Sequence, residues 1–264
     1  MIEKLTTAEN LRWHLDAGVD ETIGDDPMDH FTVVETPSTA VKERPLASNL
    51  ASAKAAVPVV ADQLLGDAWA LAEAAKTVAE LRQAVEGFDG CPLKKTATNT
   101  VFGDGNPEAR IVFIGEGPGA EEDRQGLPFV GPSGKLLDKM IGAIGLDHSN
   151  VYISNTVFWR PPGNRTPTAG ETALCMPFVE RLMELIDPDI LVTLGGPAAK
   201  AMLAQTAGVG RLRGKWYTYS TPRLSRPVQA TALFHPAYLL RSPAHKREAW
   251  SDLLSVRDKL SELT

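Results

Sequence analysis

Four side chains in this 264-residue sequence have the types and settings that could do chemistry: Glu116, Phe129, Asn155 and His235. An imidazole can donate a hydrogen bond, and a carboxylate can order a water molecule or offset positive charge. A carboxamide offers one acceptor and two donors to the edge of a planar partner. Each residue also has an ordinary reading. His235 could be a satisfied core or loop histidine, Asn155 a partner for sheet-end backbone, Glu116 an exposed turn acid and Phe129 a packing residue. Their settings are unusual: Glu116 lies in GEGPG (115–119), Phe129 in the glycine-flanked GLPFVGPSG (126–134), Asn155 in SNTVFWRPPGNRTP (154–167), and His235 opens HPAYLLR (235–241).

The elements that must position these residues follow from apolar periodicity. Short apolar runs predict strands over 111–115, 151–158, 189–195 and 229–234, with 216–220 as a short edge strand. Helical spacing predicts helices over 61–86, 171–186 and 196–206, the last with Pro197 in its first turn, and a final helix from about 244 to 260. A helix over 133–145 takes Ser133 as N-cap and Gly145 near its C-terminus; the residues before it, 124–134, read as a loop. Strands buried on both faces and separated by helices imply a parallel sheet in a three-layer α/β/α sandwich. Ligands bind such sheets beyond the strand C-termini, and that edge is where the unusual segments fall. Residues 61–264 are thus the folded domain, led by the 61–86 helix. Residues 1–60 hold a short helix and then an acidic, Pro- and Ala-rich stretch without period, read as a flexible linker.

A rival reading starts from Gly115-x-Gly117-x-x-Ala120, which fits the dinucleotide fingerprint after a strand. Pro118 and the acids Glu121, Glu122 and Asp123 oppose it, since a pyrophosphate wants free N–H groups and no negative charge. No acid ends the second strand to hold a ribose. GPSGK at 131–135 fails as a phosphate loop, with Leu136 after the lysine and Phe129 in place of the first glycine.

The net charge of −6 is unevenly spread: residues 1–90 carry 16 Asp/Glu and 7 Lys/Arg, residues 91–264 carry 17 and 20. The second part permits a nucleic-acid partner without arguing for one. No apolar run approaches a membrane span, and the N-terminus lacks signal- or transit-peptide character, so no membrane partner and a cytoplasmic location are expected. Two cysteines make no disulfide framework, which suits a reducing compartment. Monomer is the default.

The segments 115–123, 126–134, 154–167 and 235–241 resemble, in order and spacing, the signature blocks of the family 4 uracil-DNA glycosylases. The match runs from about Cys91 to the C-terminus. The resemblance implies a monofunctional enzyme of base excision repair that hydrolyses the N-glycosidic bond of deoxyuridine flipped out of DNA. It implies that His235 stabilises the departing uracil anion and that Phe129 stacks on the flipped base. Asn155 would pair with the uracil edge, Gly115 and Gly117 would line the uracil site, and Glu116 would order water beside the sugar. The family's usual turn has Ala where Gly117 stands. Arg160, Asn164, Arg165 and the helix start at Ser133 are candidates for holding phosphates. Leu239, Leu240 and Arg241 resemble the wedge that fills the space left by the flipped base.

Family 4 members carry a 4Fe–4S cluster on four cysteines. Aligned on the blocks, this chain has Phe88, Cys91, Trp159 and Cys175 at those positions. Two thiolates predict no cluster and no other cofactor, with the two rings packed beside two close, reduced thiols. A catalytically silent DNA- or uracil-binding module on the same fold is the alternative reading, and a dinucleotide-dependent enzyme the third. The acidic N-terminal segment is expected to recruit a repair partner or shield the DNA groove.

Overall fold

The computed structural model describes residues 53–263, with side chains from residue 62 onward; of the short helix and linker expected over 1–60, residues 1–52 lie outside the described residues, and 53–60 are the start of a helix rather than linker. Helices α1 (Ala53–Ala74) and α2 (Val78–Gly87) open the chain. A single helix over 61–86 was the expectation. The chain instead breaks at 75–77, because the Thr77 hydroxyl accepts from the Glu80 amide at 3.1 Å and starts a new helix.

The sheet has six strands, in the order Asp104–Gly105, Val151–Asn155, Ile111–Gly115, Ile190–Leu194, Val228–Leu233, Tyr217–Tyr219. Its centre is the expected four-stranded parallel array: β2 (Ile111–Gly115), β3 (Val151–Asn155), β4 (Ile190–Leu194) and β6 (Val228–Leu233). Short antiparallel strands β1 (Asp104–Gly105) and β5 (Tyr217–Tyr219) close its edges. Alternate side chains serve opposite layers: Val112, Ile114 and Leu191 face one core, Ile111, Phe113 and Val192 the other.

On the first face lie α1, α2 and α5 (Ala169–Ile186). Thr168 caps α5 and Glu171 returns a bond to its amide, as in a capping box. On the second face α4 (Pro132–Gly142) packs with α8 (Pro236–Arg241) and α9 (Lys246–Glu262). Ser133 is not the cap of α4: Pro132 takes the first helical position, which makes Gly131 the cap and moves Ser133 into the first turn. A further helix, α3 (Ala120–Gln125), occupies the start of what was read as loop, ended by Gly126 at φ 71°. Two short helices, α6 (Gly196–Leu203) and α7 (Val209–Leu212), complete the described chain. No helix among the described residues is long and apolar enough to cross a membrane.

Candidate active site

The parallel register places Gly115 opposite Asn155 at the C-terminal edge of the sheet, and β4 and β6 end beside them at Leu194 and Leu233. Beyond this edge opens a cleft of about 890 Å³ lined by Glu116, Gly117, Phe129, Ser133, Asn155, His235 and others. Four chain-distant segments thus converge on one concavity, as the strand order dictates.

Gly115 is the floor. A Cβ there would lie 2.7 Å from the Phe129 ring and would overlap the Asn155 carboxamide, so only hydrogen fits. Phe129 holds its ring over this floor by adopting φ 53°, a left-handed backbone that costs a phenylalanine energy. The turn is kept by Gly134, where a Cβ would collide with the Phe129 carbonyl and stand 2.8 Å from its Cα. Asn155 is buried in the same cleft, and its Oδ1 has no hydrogen-bond partner. A buried unpaired amide oxygen is costly, and a ligand with a matching N–H removes the cost.

His235 caps α8: its Nδ1 accepts from the Ala237 amide at 3.1 Å. An acceptor nitrogen carries no proton, so in the neutral ring the N–H is at Nε2. Burial, aided by the charge of Arg241, pushes the imidazole pKa down to about 4. The residue is therefore a neutral donor throughout the physiological range. Its ring stacks beside Phe129 at 5.7 Å between centroids. Glu116 is half-buried on the cleft wall, and its backbone carbonyl is tied to the Thr156 hydroxyl at 2.7 Å. Gly117 lies next to it; a Cβ there would come within 2.8 Å of Val157.

The outer candidates divide. Leu240 and Arg241 are exposed and Arg241 lines the cleft, whereas Leu239 is 1% exposed and belongs to the core. One turn of helix puts residue 239 on the inner side, so Leu239 leaves the wedge. Asn164 and Arg165 line the cleft, and Arg160 donates to Asn164 Oδ1 at 2.7 Å. Arg165 is held by both oxygens of Glu171, at 2.8 and 2.7 Å, and this pairing draws the Glu171 pKa down to about 2. Arg165 therefore fixes the Pro-Pro-Gly loop to the start of α5.

One functional residue escaped the sequence reading. Glu122, counted there as an acid hostile to anions, is buried; it accepts from the Gly131 amide at 2.9 Å and the Gly119 amide at 3.2 Å. It clips the Glu116 turn to the Phe129 loop. The spacing from Gly119 to Glu122 is that of a capping pair, which was the available signal. Gly195, which follows the third parallel strand at φ 93°, packs on the His235 side chain.

The fold's other distinctive cluster lies in the α1–α5 core, where Phe88, Cys91, Trp159 and Cys175 come together. Both thiols are free and buried, and the neighbouring Cys91 thiol together with burial raises the Cys175 pKa. Phe88 packs on Phe178 at 5.2 Å, and the Trp159 indole donates to Thr100 Oγ1 at 3.1 Å.

Comparison with known proteins gives this geometry a lineage. Residues 102–254 match the model of the Uracil DNA glycosylase superfamily. The chain is similar to type-4 uracil-DNA glycosylases of Archaeoglobus fulgidus (41% identical; 63% of this chain, 84% of the relative) and Thermotoga maritima (40%; 62% and 83%). A third, from Saccharolobus solfataricus, is 40% identical over 65% of this chain and 81% of its own. These relatives correct the expectation of a chain without cofactor, because they are of the type to which the resemblance assigns a 4Fe–4S cluster. Phe88, Cys91, Trp159 and Cys175 supply two of the four thiolates such a cluster takes and so do not fit the four-cysteine set. None of these four residues lines the cleft. On the matched length and identity, the chain belongs to the uracil-DNA glycosylase superfamily, in its type-4 family.

Proposed function

We propose that the chain is a monofunctional uracil-DNA glycosylase whose cleft takes a flipped deoxyuridine, with Asn155 reading the base and His235 stabilising it as it leaves. The observation that carries the reading is the buried, unpartnered Asn155 Oδ1 facing the cleft beside Phe129 and His235. Uracil offers N3–H to that oxygen and O4 to the amide nitrogen. Cytosine has no hydrogen at N3 and an amino group at position 4, so both pairings fail and buried polar groups stay unmatched. Phe129 supplies the stacking face, and Gly115 and Gly117 leave room for the ring.

Cleavage breaks the C1′–N1 bond and moves its electron pair onto uracil. Nε2–H of a neutral His235 donates to the developing oxyanion, an interaction stronger in the transition state than in the bound base. Glu116 offsets the positive charge on the sugar and orders the water that adds to C1′; that water loses a proton, and the uracil anion later gains one. No lysine is among the described residues lining the cleft, which supports direct hydrolysis over a Schiff base. Ser133, Arg160, Asn164 and Arg241 hold phosphates of the bent strand, and Leu240 fills the vacated place in the stack. The monomeric protein works in the cytoplasm, where its buried thiols stay reduced.

The test is an oligonucleotide with one uracil, incubated with wild type or His235→Ala and then treated with alkali. Wild-type cleavage that falls about a hundredfold or more in the variant is expected. No cleavage under any strand or salt condition would leave a binding module as the better description.

A further inference from the structure

We infer that Phe234, Tyr238 and His245 form a stacking platform for the nucleobase next to the flipped one, an inference that rests on the DNA-glycosylase reading. The three rings make a compact triangle: centroids lie 5.2 Å apart for Phe234–Tyr238, 5.1 Å for Phe234–His245 and 5.3 Å for Tyr238–His245. All three line the cleft. They are absent from the base pocket's chemistry, which Asn155, Phe129 and His235 account for.

Their burial is graded in a way that core packing alone does not explain. Phe234 is 6% exposed, with the Arg213 guanidinium 5.5 Å over its ring. Tyr238 and His245 are only half-buried, and the His245 side chain is 39% exposed. The base of the triangle is thus anchored, and its upper rings meet solvent at the cleft edge. His245 is also fixed in place: its Nδ1 pairs with Glu248 Oε2 at 2.9 Å. Tyr238 is tied to the site itself, since its amide donates to the His235 carbonyl at 2.9 Å.

A rigid, half-wet aromatic surface beside a base pocket suits a second base of the same strand. Stacking is tolerant of base identity, because every base has a π-face. Arg241, exposed on the same wall, is placed for the phosphate between the two nucleotides. The platform holds the strand while one nucleotide turns into the pocket, and it compensates in part for the stacking lost on flipping.

The experiment uses single-stranded oligonucleotides with one uracil, in which the nucleotide on either side is normal or carries a tetrahydrofuran in place of its base. Steady-state KM is measured for wild type, Tyr238→Leu, Tyr238→Phe and His245→Ala. Wild type should show a KM roughly tenfold higher when the base on one side is missing. That ratio should survive in Tyr238→Phe and fall towards one in Tyr238→Leu and His245→Ala. Each ratio is internal to one protein, so a partial loss of folded enzyme cancels. Equal KM values in wild type, or a ratio untouched by both disruptive variants, would overturn the platform alone. A wild type that releases no uracil from any substrate would overturn the glycosylase reading and the platform with it.

Discussion

His235 is one residue asked to do two jobs through its two nitrogens, and the jobs support each other. Because Nδ1 caps α8, the proton of the neutral ring stays on Nε2, and because partial burial disfavours the charged ring, it stays neutral. The linkage to stability has a definite sign. The folded pKa, about 4, lies below the ordinary 6.5, so between these values the unfolded chain binds more protons than the native one. The stability from this residue is full above about pH 6.5 and is lost as pH falls towards 4; it amounts to roughly 3 kcal/mol at most. Denaturant midpoints at pH 4.5, 5.5 and 7 should therefore climb more steeply for wild type than for His235→Ala, and parallel curves would refute the neutral ring with its lowered pKa. That His235, Asn155, Phe129 and Glu116 would meet in one cleft was legible from the sequence, since each is an odd residue at a strand end or in a glycine-rich turn. Glu122 and Leu239 were not. The first acts only through two loops that fold brings together, and the inward side of a six-residue helix leaves no period long enough to read.

At the scale of elements, two loops carry the site and each leans on a specific local contact. The Phe129 loop depends on Gly134, in the first turn of α4, lying against its carbonyl. Gly134→Ala forces that carbonyl away and should destabilise the fold by about 1–3 kcal/mol while weakening uracil binding, measured as Tm and KM together. The Pro-Pro-Gly loop depends on the Arg165–Glu171 pair, whose carboxylate also takes the Thr168 amide at 2.7 Å. Glu171→Gln removes the charge and one acceptor at the helix start. About 1–2 kcal/mol of stability should go with it, and DNA affinity should fall although position 171 is not among those proposed to touch DNA. Unchanged affinity would mean the loop holds its shape without the pair. The central strands were readable because doubly buried strands are continuous apolar runs. The edge strand Asp104–Gly105, two residues long, has no such signal and exists because β3 offers it a ladder. The split between α1 and α2 was hidden because Thr77, an internal cap, sits in an otherwise unbroken Ala- and Leu-rich text.

At the scale of the whole molecule, charge sets a problem that the cleft alone does not solve. A protein of net charge −6 must approach a polyanion, and residues 1–48 carry 10 Asp/Glu against 4 Lys/Arg, which accounts for all of that net charge. Six of those acids (Asp16, Asp20, Glu21, Asp25, Asp26 and Asp29) crowd into fourteen residues. If the segment shields the DNA groove, its field should slow encounter, and the effect should vanish as salt screens it. Replacing the six by Asn or Gln in the full chain brings the net charge to zero without touching the cleft. Association with a uracil-containing strand should then quicken by about tenfold at low ionic strength and by nothing near 0.5 M salt, where the screening length is about 4 Å. Stopped-flow fluorescence with a labelled oligonucleotide reads both conditions. Equal rates at low salt would show that DNA does not feel the segment's charge, and its acidity would then be explained by a cationic protein partner instead.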